Sequence, residues 1–206
     1  EVGVELLTSD YALTAYLDEF AVFGDPDYRV DFAHERIEHW NNLHEEISQC
    51  MYNVGSWTLE KGALVGHGAQ LAEIFTGSTR WQNVHVKTAL QPVTGKGHNL
   101  EFRVQGAMRC YAVGLAADNK LVLYKKNGQY EKLAETDLSW KNGCEYMLEA
   151  TVVGNAITVS VDGEIAFRYV DKDEPYLYGS VGLSSFGPAS CQWRFIEVTP
   201  VEKEEK

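Results

Sequence analysis

Gly154-Asn155 sits inside an alternating run from Tyr146 to Tyr169, and the turn and the alternation agree. Folding the chain there sets Val152 opposite Ile157, Ala150 opposite Val159 and Leu148 opposite Val161. The apolar residues then share one face, while Glu149, Thr151, Thr158 and Ser160 share the other. A Gly-Asn loop suits the mirror-image turns that match strand twist, and a period of two needs a sheet with one buried face. The unit predicted is an antiparallel β-meander.

Similar units recur. Short alternating runs are expected at Trp57–Leu59, Ala63–Val65, Ala72–Phe75, Val84–Leu90, Leu100–Val104, Arg109–Ala116, Lys120–Lys126, Tyr130–Ala134, Ser180–Ser185 and Trp193–Val198. Turns rich in Gly, Asn and Asp separate them, among them Asn127-Gly128. About a dozen short strands with little helix predict an all-β, two-sheet antiparallel sandwich. One register stays open at Asp162-Gly163. A two-residue loop would put Ile165 and Phe167 out of phase with the core, so a three-residue loop or a bulge is expected there.

The first fifty residues differ. Residues 1–24 read as terminal strands of a preceding β-domain or as extra strands on the sandwich. Asp25-Pro26-Asp27 breaks the chain. Residues 25–50 form a connector in which Ile37, Trp40 and Ile47 recur at helical steps over 34–47. The sandwich spans 51–199, and 200–206 is a charged tail. The chain starts at Glu1 without a leader, as a fragment or processed product would.

Thirty acidic against eighteen basic residues give a net charge of −12, which opposes binding to a polyanion such as nucleic acid. No run of about 18 apolar residues predicts a membrane span. Cys50, Cys110, Cys144 and Cys191 form no C-x-x-C pair, so free thiols and a cytoplasmic location are expected. His34 and His39 flank Glu35 but stand five residues apart, about 140° around a helix, so no zincin site is expected. Asp171-Lys172-Asp173-Glu174 reads as a solvated loop rather than a calcium loop. No metal and no cofactor are expected.

Catalytic signatures are missing as well. A sandwich glycosidase needs two facing carboxylates, yet Glu73, Glu101 and Glu149 each stand alone on their strands. No nucleophile elbow, phosphate loop or dinucleotide fingerprint occurs. The remaining candidate is a polar sheet face. Leu100, Phe102 and Val104 alternate with Glu101, Arg103 and Gln105, and the next strand opens with Arg109-Cys110-Tyr111. Planar forked groups beside aromatic rings are what sugars need. The expected ligand site is therefore Arg103, Gln105, Arg109 and Tyr111 on one face, with Glu73 close enough to neutralise an arginine. The plain alternative is a solvated sheet face.

Trp57–Gly66, Ile157–Gly163 and Gly179–Leu183, in this order and spacing, resemble the concanavalin-A-like or laminin-G-like jelly-roll superfamily over about residues 51–199. Asp27–Phe32, Glu73–Gly77 and Arg103–Arg109 resemble the C-terminal region of bacterial ADP-ribosylglycohydrolase-family proteins. That resemblance implies a non-catalytic appendage, because the family's hydrolase domain is all-helical and nothing here matches it. Two functions stand. One is an accessory module that binds a glycan or an ADP-ribose-like ligand, or packs on its parent catalytic domain. The other is a sandwich glycoside hydrolase acting through a carboxylate pair.

Overall fold

The computed structural model describes residues 27–34 and 50–201. In chain order the strands are β1 (Tyr28–Asp31), β2 (Cys50–Val54), β3 (Ser56–Glu60), β4 (Ala63–Gly68), β5 (Leu71–Thr76), β6 (Val84–Thr94), β7 (His98–Val104) and β8 (Arg109–Ala116). A 3-10 turn at Ala117–Asn119 leads to β9 (Lys120–Asn127) and β10 (Gln129–Asp137). Then follow β11 (Tyr146–Val153), β12 (Ala156–Val161), β13 (Glu164–Val170), β14 (Ser180–Phe186), β15 (Ala189–Trp193) and β16 (Phe195–Pro200).

The strands make two antiparallel sheets. One has the order β10-β9-β8-β7-β14-β5-β2. The other runs β13-β12-β11-β6-β15-β4-β3, with β16 also paired to β6 and β1 to β16. One continuous core lies between them, built from Leu100, Phe102, Val113, Leu123 and Leu183 on one side and Val86, Leu90, Ala150, Val159 and Trp193 on the other. Trp193 is fully buried and packs 5.4 Å from Trp57, centroid to centroid. Gly66 makes that pair possible, since a Cβ there would come within 2.6 Å of the Trp57 ring.

The opening hairpin has the predicted register. Val152 pairs Ile157, Ala150 pairs Val159 and Leu148 pairs Val161, and all six are buried. Gly154 carries φ +55, as the first central position of a type II′ turn requires. At the next turn the loop has two residues, Asp162 and Gly163, both at positive φ. A bulge then restores phase, because Ser160 pairs Ile165 but Val159 pairs Phe167. Ile165, before the bulge, stays out of phase and is 51% exposed, whereas Phe167, after it, packs on the core.

Sequence patterning missed three strands. β1 lies inside the predicted connector, and β2 and β15 carry too few alternating apolar residues to stand out. Residues 35–47 of the expected helix, with His39, the strands in 1–24 and most of the tail lie outside the described residues, and His34 lies in the turn after β1.

Candidate functional site

Arg103 does not sit on the outer face of its sheet. Ser180 pairs Val104 and Val181 pairs Phe102, which leaves Arg103 as the extra residue of a β-bulge at φ +53. Opposite it, Gly179 leaves no room for a side chain, since a Cβ would lie 2.2 Å from the Arg103 carbonyl carbon. The bulge reverses the alternation. Val104 now faces outward with Phe75 and Cys110, and Arg103 points between the sheets, 1% exposed.

Tyr111 is inside too, stacked on Phe102 at 5.6 Å. Its hydroxyl donates to the buried Asp171 and accepts from the Tyr176 backbone N–H at 3.0 Å. Lys125 Nζ reaches Asp171 at 2.8 Å. Asp171 is therefore a buried anchor and not part of a solvated loop. Burial opposes its charge, yet Lys125 and Tyr111 outweigh burial and hold its carboxyl below the usual range.

Arg103 is less well served. Its Nη2 donates to the Gly154 carbonyl at 3.3 Å, while Nε and Nη1 have no hydrogen-bond partner. Burial pulls its pKa down to about 10, which still leaves it charged at neutral pH. A buried donor without a partner is destabilising by about 1–3 kcal/mol. Arg103→Met keeps most of the volume and removes the orphaned donors, so it should raise the unfolding free energy by about 1–2 kcal/mol. A urea unfolding curve shifted to lower midpoint would show that the guanidinium is stabilising.

Gln105 and Arg109 lie at the same end of the sandwich but open to solvent. With Gln82, Pro175, Tyr176, Leu177 and Tyr178 they line a cleft of about 410 Å³. Gln105 Nε2 donates to the Tyr178 carbonyl at 3.0 Å, and the Arg109 guanidinium lies 4.8 Å over the Tyr176 ring. Leu177 and Tyr178 are about half exposed, at 48% and 53%. Arg103, Gln105, Arg109 and Tyr111 thus meet around Tyr176, two inside and two outside, rather than on one sheet face. A second open groove, about 380 Å³, lies at the other end of β7 and β8 beside Lys96, Asn119, Trp140 and Lys141. There Trp140 Nε1 is tied to the Ala116 carbonyl and its ring packs edge-on to His98.

Glu73 belongs elsewhere. It projects from β5 on the outer face of the seven-stranded sheet, fully buried, and among the described residues pairs with no arginine. Lys126 Nζ contacts its Oε1 at 2.5 Å and Asn53 Nδ2 donates to its Oε2 at 2.7 Å. The adjacent Lys125 and Lys126 thus supply two ion pairs, one part-buried and one buried, on opposite sides of one strand. Glu101, equally buried, joins Glu73 through Tyr130, whose Oη lies 2.5 Å from Glu73 Oε1 and 2.7 Å from Glu101 Oε1. One hydroxyl hydrogen cannot serve two carboxylates. A proton on Glu101 resolves this, its O–H donating to Tyr130 while Tyr130 donates to Glu73. Burial and the neighbouring Glu73 charge accordingly push the Glu101 pKa up to about 7. Tyr130, Tyr124 and Phe186 pack together beside this cluster, with centroids 4.5–6.2 Å apart. Among the described residues, no group of three or more His, Cys, Asp or Glu side chains could hold a metal ion.

Sequence reading missed Tyr130, Tyr176 and Tyr178, and treated Glu73 and Glu101 as isolated. Only the strand order, with β14 inserted between β5 and β7, brings those two carboxylates together.

No family model and no curated protein matches the sequence. Solved structures do match. The carbohydrate-binding module CBM66 from Bacillus subtilis superposes with a TM-score of 0.67 at 16% identity, covering 73% of this chain and 95% of that one. A prokaryotic β-1,3-1,4-glucanase (lichenase) derived from a mouse hindgut metagenome gives 0.62 at 13% identity, over 85% and 100%. The fold is a concanavalin-A-like jelly roll. The exoplasmic/lumenal domain of VIP36, bound to Ca²⁺ and Man3GlcNAc, shares it at a TM-score of 0.60 and 12% identity, over 77% and 86%. At such low identity the likeness establishes the jelly roll and no more, and the site must be argued from this chain's own residues.

Proposed function

We propose that this jelly roll is a non-catalytic glycan-binding module whose ligand sits in the cleft of Gln82, Gln105, Arg109, Leu177 and Tyr178. The observation that carries this reading is the pairing of forked polar groups with half-exposed Tyr178 and Leu177 in one open cleft. Sugar hydroxyl pairs suit amide and guanidinium forks, and the C–H face of a sugar stacks on aromatic surface. Structural likeness to CBM66 and to the mannose-bound domain of VIP36 supports the ligand class. The finer placement, as an accessory domain of an ADP-ribosylglycohydrolase-like protein with an ADP-ribose-type ligand, rests on the resemblance of three sequence segments alone. A glycan array with the 206-residue chain tests the reading. Binding to at least one glycan, lost in Arg109→Ala and Gln105→Ala, is expected; binding unaffected by both would move the site.

One observation favours hydrolysis instead. Both carboxylates contact the same Tyr130 hydroxyl, which puts their oxygens within about 5 Å, the spacing of a retaining glycosidase pair. A protonated Glu101 beside a Glu73 paired with Lys126 would also fit acid and nucleophile. Against it, both carboxylates are fully buried and engaged by Tyr130, and Lys126 holds Glu73. Turnover of any glycan bound on the array, abolished by Glu101→Gln, would establish the hydrolase and displace the binding module.

A further inference from the structure

We propose that the Arg109 cleft selects saccharides carrying an anionic group, a carboxylate or a phosphate on the sugar, with Arg109 holding the anion and Tyr178 and Leu177 covering the ring face. The inference rests on the cleft being the ligand site and adds the chemical class of what it takes. Three cations surround Tyr176. Arg109 lies 4.8 Å over its ring, Lys125 Nζ lies 4.9 Å over it, and Arg103 lines a closed space against Tyr176 and Tyr111. Lys125 is neutralised by its ion pair with Asp171, so the charge presented towards the cleft is that of Arg109, with Arg103 behind it.

The carboxylates nearby do not cancel it at the cleft. Asp171 is taken up by Lys125 and Tyr111. Asp173, Glu174 and Glu131 line a separate depression with Lys125, which shares Tyr176 with the cleft. Besides its two tyrosines, the cleft has Gln82, Gln105 and Arg109 as polar side chains and, among the described residues, no acidic one. Glu174 acts on Arg109 only at a distance, and Tyr176 is its main partner. Arg109 forms no salt bridge among the described residues, whereas Arg29 and Arg194 both do.

Behind Tyr176, the buried Arg103 keeps two donors without partners. Its field is little screened, because charge in a low-dielectric interior acts over longer range than charge in water. A neutral sugar would leave both arginines uncompensated. An anion on the cleft side would meet one directly and the other through the Tyr176 ring. Two flanking amides, Gln82 and Gln105, can then take ring hydroxyls.

Calorimetry on the 206-residue chain, with amide-shift mapping by NMR, separates the possibilities. The probes are a trigalacturonate, the neutral galactose trisaccharide and glucose 6-phosphate. The acidic trisaccharide, the phosphate or both should bind with shifts at Gln105, Arg109 and Tyr178, and should outbind the neutral sugar. Which acidic probe binds tells carboxylate from phosphate. Arg109→Ala should weaken that binding roughly ten- to hundredfold, the range for a lost charge-assisted contact. Arg109→Lys should recover part of it, and raising salt from 50 to 500 mM should weaken it. Neutral sugar binding as tightly as acidic sugar, with equal loss in Arg109→Ala, would overturn the anionic class and leave the glycan cleft standing. If no probe shifts cleft residues, both ideas fail. Arg109 is exposed, so an unchanged melting temperature verifies that the variant is folded.

Discussion

Replacing Lys126 with methionine should lower the unfolding free energy by about 3–5 kcal/mol, the usual penalty for stranding one partner of a buried ion pair. The side chains of Lys126 and Glu73 are 7% and 0% exposed and meet at 2.5 Å. With the lysine removed, the fully buried Glu73 keeps Tyr130 and Asn53 as donors but loses its only counter-ion among the described residues. Neighbouring Glu101 then faces an uncompensated carboxylate, and the pair must carry an extra proton to remain buried. Glu73→Gln alone should also be costly, because it strands the lysine. The double variant Glu73→Gln/Lys126→Met removes both charges and should recover most of the loss, since an apolar or neutral replacement of a whole buried pair is often tolerated. Urea unfolding of the four proteins measures the coupling. Additive losses in the double variant would mean that the two side chains are not an energetic pair.

The fold was legible because its strands are locally consistent. In the β11–β12 hairpin, turn chemistry and alternation both demand one register, and that register is the one observed. The site was less legible, for two physical reasons. A single bulged residue, Arg103, inverts the inward and outward assignment of everything after it on β7, and a bulge leaves no clear mark in the sequence of its own strand. Its partner mark, Gly179, lies 76 residues away and is recognisable only once β7 and β14 are paired. The carboxylate pair was hidden by topology. Glu73 and Glu101 are brought together by an intervening strand from much later in the chain, and no local spacing rule can reveal that. Tyr130, which links them, reads in the sequence as one more strand aromatic.

The second large effect is a pH dependence, and its sign follows from the proton on Glu101. An unperturbed glutamate ionises near 4.5, whereas burial and the Glu73 charge raise Glu101 to about 7 in the folded protein. Between those values the folded state holds a proton that the unfolded chain has released. Stability contributed by this group is therefore complete below pH 4.5 and is lost as pH rises through 7, by on the order of 3 kcal/mol. His98 acts in the opposite direction. Buried under Trp140, it has its pKa lowered from 6.5 to about 4, so its contribution is complete above pH 6.5 and is lost as pH falls towards 4. In the parent protein the two slopes oppose each other between pH 5 and 6.5, and the net dependence there should be shallow. Glu101→Gln isolates them. The amide can donate to Tyr130 as the protonated carboxyl does, so at pH 5 the variant should match the parent closely. At pH 8 it should be the more stable protein, and its own stability should rise with pH through the histidine range. Urea midpoints at pH 5, 6, 7 and 8 read the difference directly. Parallel curves for the two proteins would mean that Glu101 is ionised in the folded state throughout, and that the shared proton between Glu101 and Tyr130 does not exist.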